Sequence, residues 1–191
     1  MRGHPLRLLA AVLTVVLAAG VAFGEELALR IPEVVATLAG RDVTVSARLE
    51  PGLPADVVKR LASGLPTTAV WEMRLMVLRN NWWDGLRDER SYAVTATYRP
   101  VSGDYTVERR IDGRLLDTVV VPTRAEAERV LAGIPGIPAF AMGPHLAGKP
   151  LVARVRCVYG TGMLLGLLPV RTMTDWRRSP AFSWSESGAT P

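Results

Sequence analysis

Residues 42–49 read Asp42-Val43-Thr44-Val45-Ser46-Ala47-Arg48-Leu49, polar and apolar in unbroken alternation. A period of two sends successive side chains to opposite faces of an extended backbone, so this stretch is a half-buried strand. The same rhythm governs most of the chain. Residues 33–38 make its hairpin partner, turning at Ala39-Gly40-Arg41. Residues 67–79 form a long strand with Trp71, Met73, Leu75 and Val77 on one face. The other face mixes Glu72 and Arg74 with Val70, Met76 and Leu78, the pattern of a central strand covered on both sides. Residues 90–99 return with Tyr92, Val94, Ala96 and Tyr98 together. Residues 105–111 follow, with Arg109 interrupting the apolar side, and Asp112-Gly113 turns the chain into a strand at 115–121. Residues 151–159 alternate again, with Leu151, Ala153, Val155, Cys157 and Tyr159 on one face and Arg154 and Arg156 on the other.

Helical spacing appears twice. After Pro54, Asp56 sits in a first turn, Val57, Val58 and Leu61 face inward, and Gly64 and Pro66 stop the helix. Thr123-Arg124-Ala125-Glu126 is a capping box, followed by Ala127, Val130 and Leu131, with Gly133 as the stop. Residues 133–150, with four Pro and four Gly, read as a loop, and Gly160-Thr161-Gly162 as a tight turn. Trp176, Phe182 and Trp184 close the ordered part. The expected architecture is mainly β: an antiparallel β-sandwich or strongly curled sheet of about seven to eight strands with two short helices. Residues 25–184 make a single domain, and residues 185–191 a frayed tail. An eight-stranded outer-membrane barrel has a similar length, but two helices, Pro-interrupted strands and a polar tail speak against it.

Residues 1–24 address the chain. Arg2 and Arg7 precede an uncharged apolar run at residues 8–23, and Ala22-Phe23-Gly24 stands before Glu25-Glu26. That order is a secretory signal peptide, cleaved after Gly24 or retained as an inner-membrane anchor. Export to the periplasm or cell envelope excludes ATP- and NAD(P)H-dependent chemistry. Removing the leader takes two of the five excess positive charges with it. The remaining cations are nearly all Arg, suited to an anionic membrane surface or an acidic partner. No Lys/Arg run interleaved with aromatics is present, so no nucleic acid and no nucleotide is expected. Cys157 is the only cysteine and reads as a buried structural thiol, unable to make an internal disulfide.

Reactive constellations are scarce. One Cys and, beyond the leader, one His (His145) cannot build a zinc cluster, so no metal and no cofactor is expected. No Gly-x-Ser-x-Gly elbow marks a nucleophile for His145. Gly160-Thr161-Gly162 lacks the third glycine and the acidic residue of a dinucleotide fingerprint. Asp84, Asp88 and Glu89 cluster near one turn, as a solvated hairpin end or as carboxylates for a hydrolase. Trp82-Trp83 stands out, because two adjacent Trp on extended backbone cannot both enter one core: either both pack over the end of the sandwich, or one folds over it while the other stays exposed as an anchor. Trp82, Trp83, Arg87, Arg90 and, with Arg177-Arg178 beside it, Trp176 are the candidate binding residues: aromatic anchors flanked by cations that attract anionic headgroups.

In order, the chain has the leader, an early hairpin and a helix ending in Ser63-Gly64-Leu65-Pro66. The Trp71 strand, spaced Tyr92, Tyr98 and Tyr105 and the Thr123 helix follow. Leu168-Pro169 and Ser179-Pro180-Ala181-Phe182 between Trp176 and Trp184 complete the series. This arrangement resembles the bacterial exported family catalogued only as domain of unknown function 4390, over nearly all of the chain after the leader. The resemblance implies an exported β-rich domain without a known cofactor, and assigns no catalytic or ligand residue. The expected role is a non-enzymatic binding or structural module of the envelope, meeting an envelope protein or a membrane surface. The alternatives are a periplasmic carboxylate-dependent hydrolase, with two carboxyl groups about 5–10 Å apart in a concave site, and an accessory to an envelope signalling system.

Overall fold

The computed structural model describes residues 29–79, 83–164 and 168–185. The expected leader and nearly all of the expected tail lie outside them. Two antiparallel sheets enclose the core. The smaller joins β1 (Val34–Ala39), β2 (Asp42–Arg48) and β7 (Gly133–Ala141) in the order β1-β2-β7. The larger contains β3 (Thr67–Val77), β4 (Gly85–Arg99), β5 (Asp104–Ile111), β6 (Arg114–Val121) and β8 (Pro150–Leu164). It also takes in β9 (Leu168–Met173), β10 (Arg177–Arg178) and β11 (Phe182–Ser183). Its path runs β10-β8-β3-β4-β5-β6, with β9 and β11 also on β8. It does not close into a barrel. β6 ends the path as an edge strand.

The mainly β architecture follows the alternation. β3 lies centrally between β4 and β8, and its Trp71, Met73, Leu75 and Val77 are all buried. Val43 and Val45 of the small sheet and Tyr92, Val94 and Val155 of the large one are completely buried in the same core. At the β5–β6 hairpin Asp112 and Gly113 both have positive φ, +48° and +78°, as the right-handed twist of a two-residue hairpin requires. Helices α1 (Ala55–Ala62) and α2 (Arg124–Leu131) contact the large sheet, burying Val57 and Leu61, and Ala127 and Leu131. The Thr123 hydroxyl accepts from the Glu126 backbone N–H at 3.2 Å, the cap read from the sequence.

Two expectations are corrected. The segment at 133–150 is not a loop throughout: its first half is β7, paired along β2 from Gly133 to Ala141. Apolar Ile134, Ile137 and Phe140 enter the core, while the prolines are accommodated by an outermost position and two register shifts. Gly136, at φ +88°, takes up one of these bulges. Gly160-Thr161-Gly162 is not a turn either; it lies within β8, which continues to Leu164 and pairs with β9.

The C-terminal segment seals the outer side of β8. β9, β10 and β11 pair successive stretches of it, and polar side chains fill the gaps between them. The Cys157 N–H donates to the Thr174 hydroxyl at 3.0 Å and the Ala153 N–H donates to the Ser179 hydroxyl at 3.1 Å. Trp184 is buried, and its indole N–H donates to the Gly40 carbonyl at 3.1 Å, tying this segment to the β1–β2 turn.

Candidate functional site

The connection from β3 to β4 presents the most exposed aromatic side chain described. Trp83 is 87% exposed, and Leu86, 50% exposed, stands three residues on. Trp82 lies outside the described residues. Opposite Leu75 and Met76 of β3, the register of β4 passes from Asp88 to Leu86. Arg87 therefore has no residue opposite it, and the bulge leaves its side chain exposed at the tip. Gly85 makes room for a second cation: a Cβ there would lie 3.2 Å from the Arg79 guanidinium.

The base of the tip is clasped by ion pairs. Arg154 of β8 donates to Asp84 at 2.8 Å, and Arg74 of β3 to Glu89 at 3.1 Å. Arg90 donates to Asp88 and to Asp112, each at 3.0 Å. The Asp112 hydrogen bond is the largest cause of an Arg90 pKa above the ordinary guanidinium value. The five sequence candidates therefore separate. Trp83 and Arg87 share the tip. Arg90 is on the same strand, but its guanidinium holds the β4–β5 region together. Trp176 is not at the tip but against its base: Arg74, which also holds Glu89, and Arg156 lie over its ring at 4.6 and 4.5 Å on the outer face of the large sheet. Arg156 also donates to Glu72 at 2.6 Å. Half-buried in this stack, Trp176 braces β3 and β8 rather than standing free.

The other reactive candidates are placed as follows. Asp84, Asp88 and Glu89 are each engaged in an ion pair with an arginine, from Arg154, Arg90 and Arg74 respectively. Three clefts hold one carboxylate apiece, from Asp56, Glu33 and Asp175. His145 is exposed in a single 3-10 turn, Pro144–Leu146. Cys157 is fully buried, and burial pushes its thiol far above the ordinary range. Among the described residues no three His, Cys, Asp or Glu side chains gather in a way that could hold a metal ion. No helix among them is long and apolar enough to cross a membrane.

Sequence reasoning missed Leu86, which alternation alone does not distinguish from a core residue, and the clasping role of Asp84, whose partner is 70 positions away. It also missed the apolar edge of β6, where Leu115, Leu116 and Val120 are more than half exposed.

A family model described as Domain of unknown function (DUF4390) matches residues 27–186. No curated protein and no solved structure matches the chain.

Proposed function

The chain belongs to the domain of unknown function family DUF4390, and from that premise we propose that it is a non-enzymatic module, exported to the cell envelope, that docks its β3–β4 tip on an anionic membrane surface. The observation carrying this reading is Trp83, almost fully exposed beside Leu86 and the bulged Arg87. An amphipathic ring at the end of a rigid sheet suits the headgroup level of a bilayer, where its apolar body is buried and its N–H stays wet. Arg79 and Arg87 have no carboxylate partner among the described residues, so their charge is available to anionic lipid. Export rests on the leader read from residues 1–24.

The energies are adequate for reversible docking. Burying about 100 Å² of indole at about 25 cal/mol per Å² contributes about 2.5 kcal/mol, and each arginine adds about 1 kcal/mol near an anionic surface. Co-flotation with phosphatidylglycerol-containing vesicles tests this. Trp83→Ala is expected to weaken partitioning by about 70-fold and Arg87→Gln by about fivefold, with wild-type binding lost on phosphatidylcholine vesicles. Equal flotation of wild type and Trp83→Ala would refute the reading.

A further inference from the structure

A different face of the molecule holds a cleft that no part of this reading uses. It lies where the small sheet meets α2 and β5, and it is lined by Arg48, Arg109 and Arg129 above Ala47, Val130, Ile134 and Pro135. No acidic residue lines it. Arg109 faces Val94 of β4, which in turn faces Ala69 of β3. Ala69 is eight residues from the tip end of β3, roughly 26 Å along the strand, so the two sites are separate.

The charge in this cleft is unbalanced. Arg109 donates through Nε to Asp117 at 2.6 Å and forms a second bond through its other nitrogen, so that guanidinium is neutralised and locked. Arg48 and Arg129 are exposed and have no carboxylate partner among the described residues. Two positive charges therefore remain at the mouth of a cleft whose floor, Ala47 and Ile134, is buried and apolar. A guanidinium is a planar fork matched to tetrahedral phosphate oxygens. A phosphate monoester has about −1.5 to −2 charge at neutral pH, which balances two arginines where a single carboxylate does not. The cleft measures about 210 Å³, the share of roughly seven waters. That accommodates a phosphoryl group and a few methylenes.

We propose that this cleft is a binding site for a phosphomonoester on a short apolar stem, gripped by Arg48 and Arg129 and oriented by the Asp117-locked Arg109. The paired bonds to Asp117 hold the Arg109 side chain in place at the cleft, so binding there requires no further ordering of it.

Isothermal titration of the full chain with butyl phosphate tests the proposal. Wild type is expected to bind butyl phosphate more tightly than inorganic phosphate, and butyl phosphate more tightly than butanoate. Arg48→Gln and Arg129→Gln each weaken it about tenfold or more, and the double variant loses it. Arg124→Gln, on the same helix but paired with Glu128, and Trp83→Ala leave binding unchanged. Both arginines are exposed, so the variants remain folded, which circular dichroism checks. Competition separates two sources of the same group: stronger displacement by dodecyl phosphate marks a lipid head, and stronger displacement by glycerol phosphate marks a soluble ester. Undiminished binding in the double variant, binding of butanoate or sulfate as tight as that of butyl phosphate, or no binding at all overturns the proposal.

Discussion

Thr174→Val removes one hydroxyl from the seal along β8 and keeps the shape of the side chain. In the native protein that hydroxyl accepts from the Cys157 N–H at 3.0 Å, and Thr174 is 4% exposed. The Cys157 carbonyl separately accepts from the Thr174 N–H at 2.9 Å, which the substitution does not touch. The variant thus leaves one buried amide without an acceptor, at a cost of about 1–3 kcal/mol. For a domain of this size each kcal/mol lowers Tm by about 3 °C, so a fall of about 3–9 °C is expected. Ser179→Ala repeats the experiment at the Ala153 N–H. The two amides lie four residues apart on one strand, roughly 13 Å, so their effects should add to within about 0.5 kcal/mol. Urea unfolding gives the free energies, with an unchanged m-value showing that the native state stays equally compact. Hydrogen exchange at Cys157 gives the local reading. A loss under about 0.5 kcal/mol in both single variants, with fast exchange at Cys157 in wild type, would show that water reaches this edge of β8. The C-terminal segment would then not be sealing the sheet.

Two other outcomes follow from burial and charge. Cys157, buried and with its thiol pushed up in pKa, is expected to be unreactive toward a thiol reagent in the folded protein and to titrate fully in denaturant; rapid labelling without denaturant would contradict the packing of β8. Asp104 is held below the usual carboxylate range, first by its hydrogen bonds from Arg99 and then by that from Ser102. A depressed native pKa stabilises above the unfolded value and loses its effect as pH falls through the native one, so Asp104→Asn should remove stability at neutral pH and none in strong acid; carboxyl NMR titration measures the shift directly.

Local pattern was enough for those elements whose partners follow closely in the chain. The β1–β2 hairpin, α1, α2 with its Thr123 cap, and the β5–β6 turn at Asp112-Gly113 all stand where alternation, capping and turn chemistry put them. The Trp82-Trp83 pair marked this connection as unusual, but that Trp83 stands exposed was decided by the fold. Arg90 and Trp176 were not legible as structural braces, because Asp112, Arg74 and Arg156 reach them only across the sheet.

What the amino-acid order determined by itself was therefore period, polarity and turn: an alternating chain with two short helical interruptions. Tertiary structure alone decided that a proline-rich stretch becomes β7, since whether a missing N–H matters depends on which side of the strand is paired. It also decided that β8 is closed by three short strands and two hydroxyls, and that Arg48, Arg109 and Arg129 from three distant segments converge on one cleft. Hydrogen-bond partners and charge neighbours across a sheet are set by register between remote strands, a quantity that no local window of sequence contains.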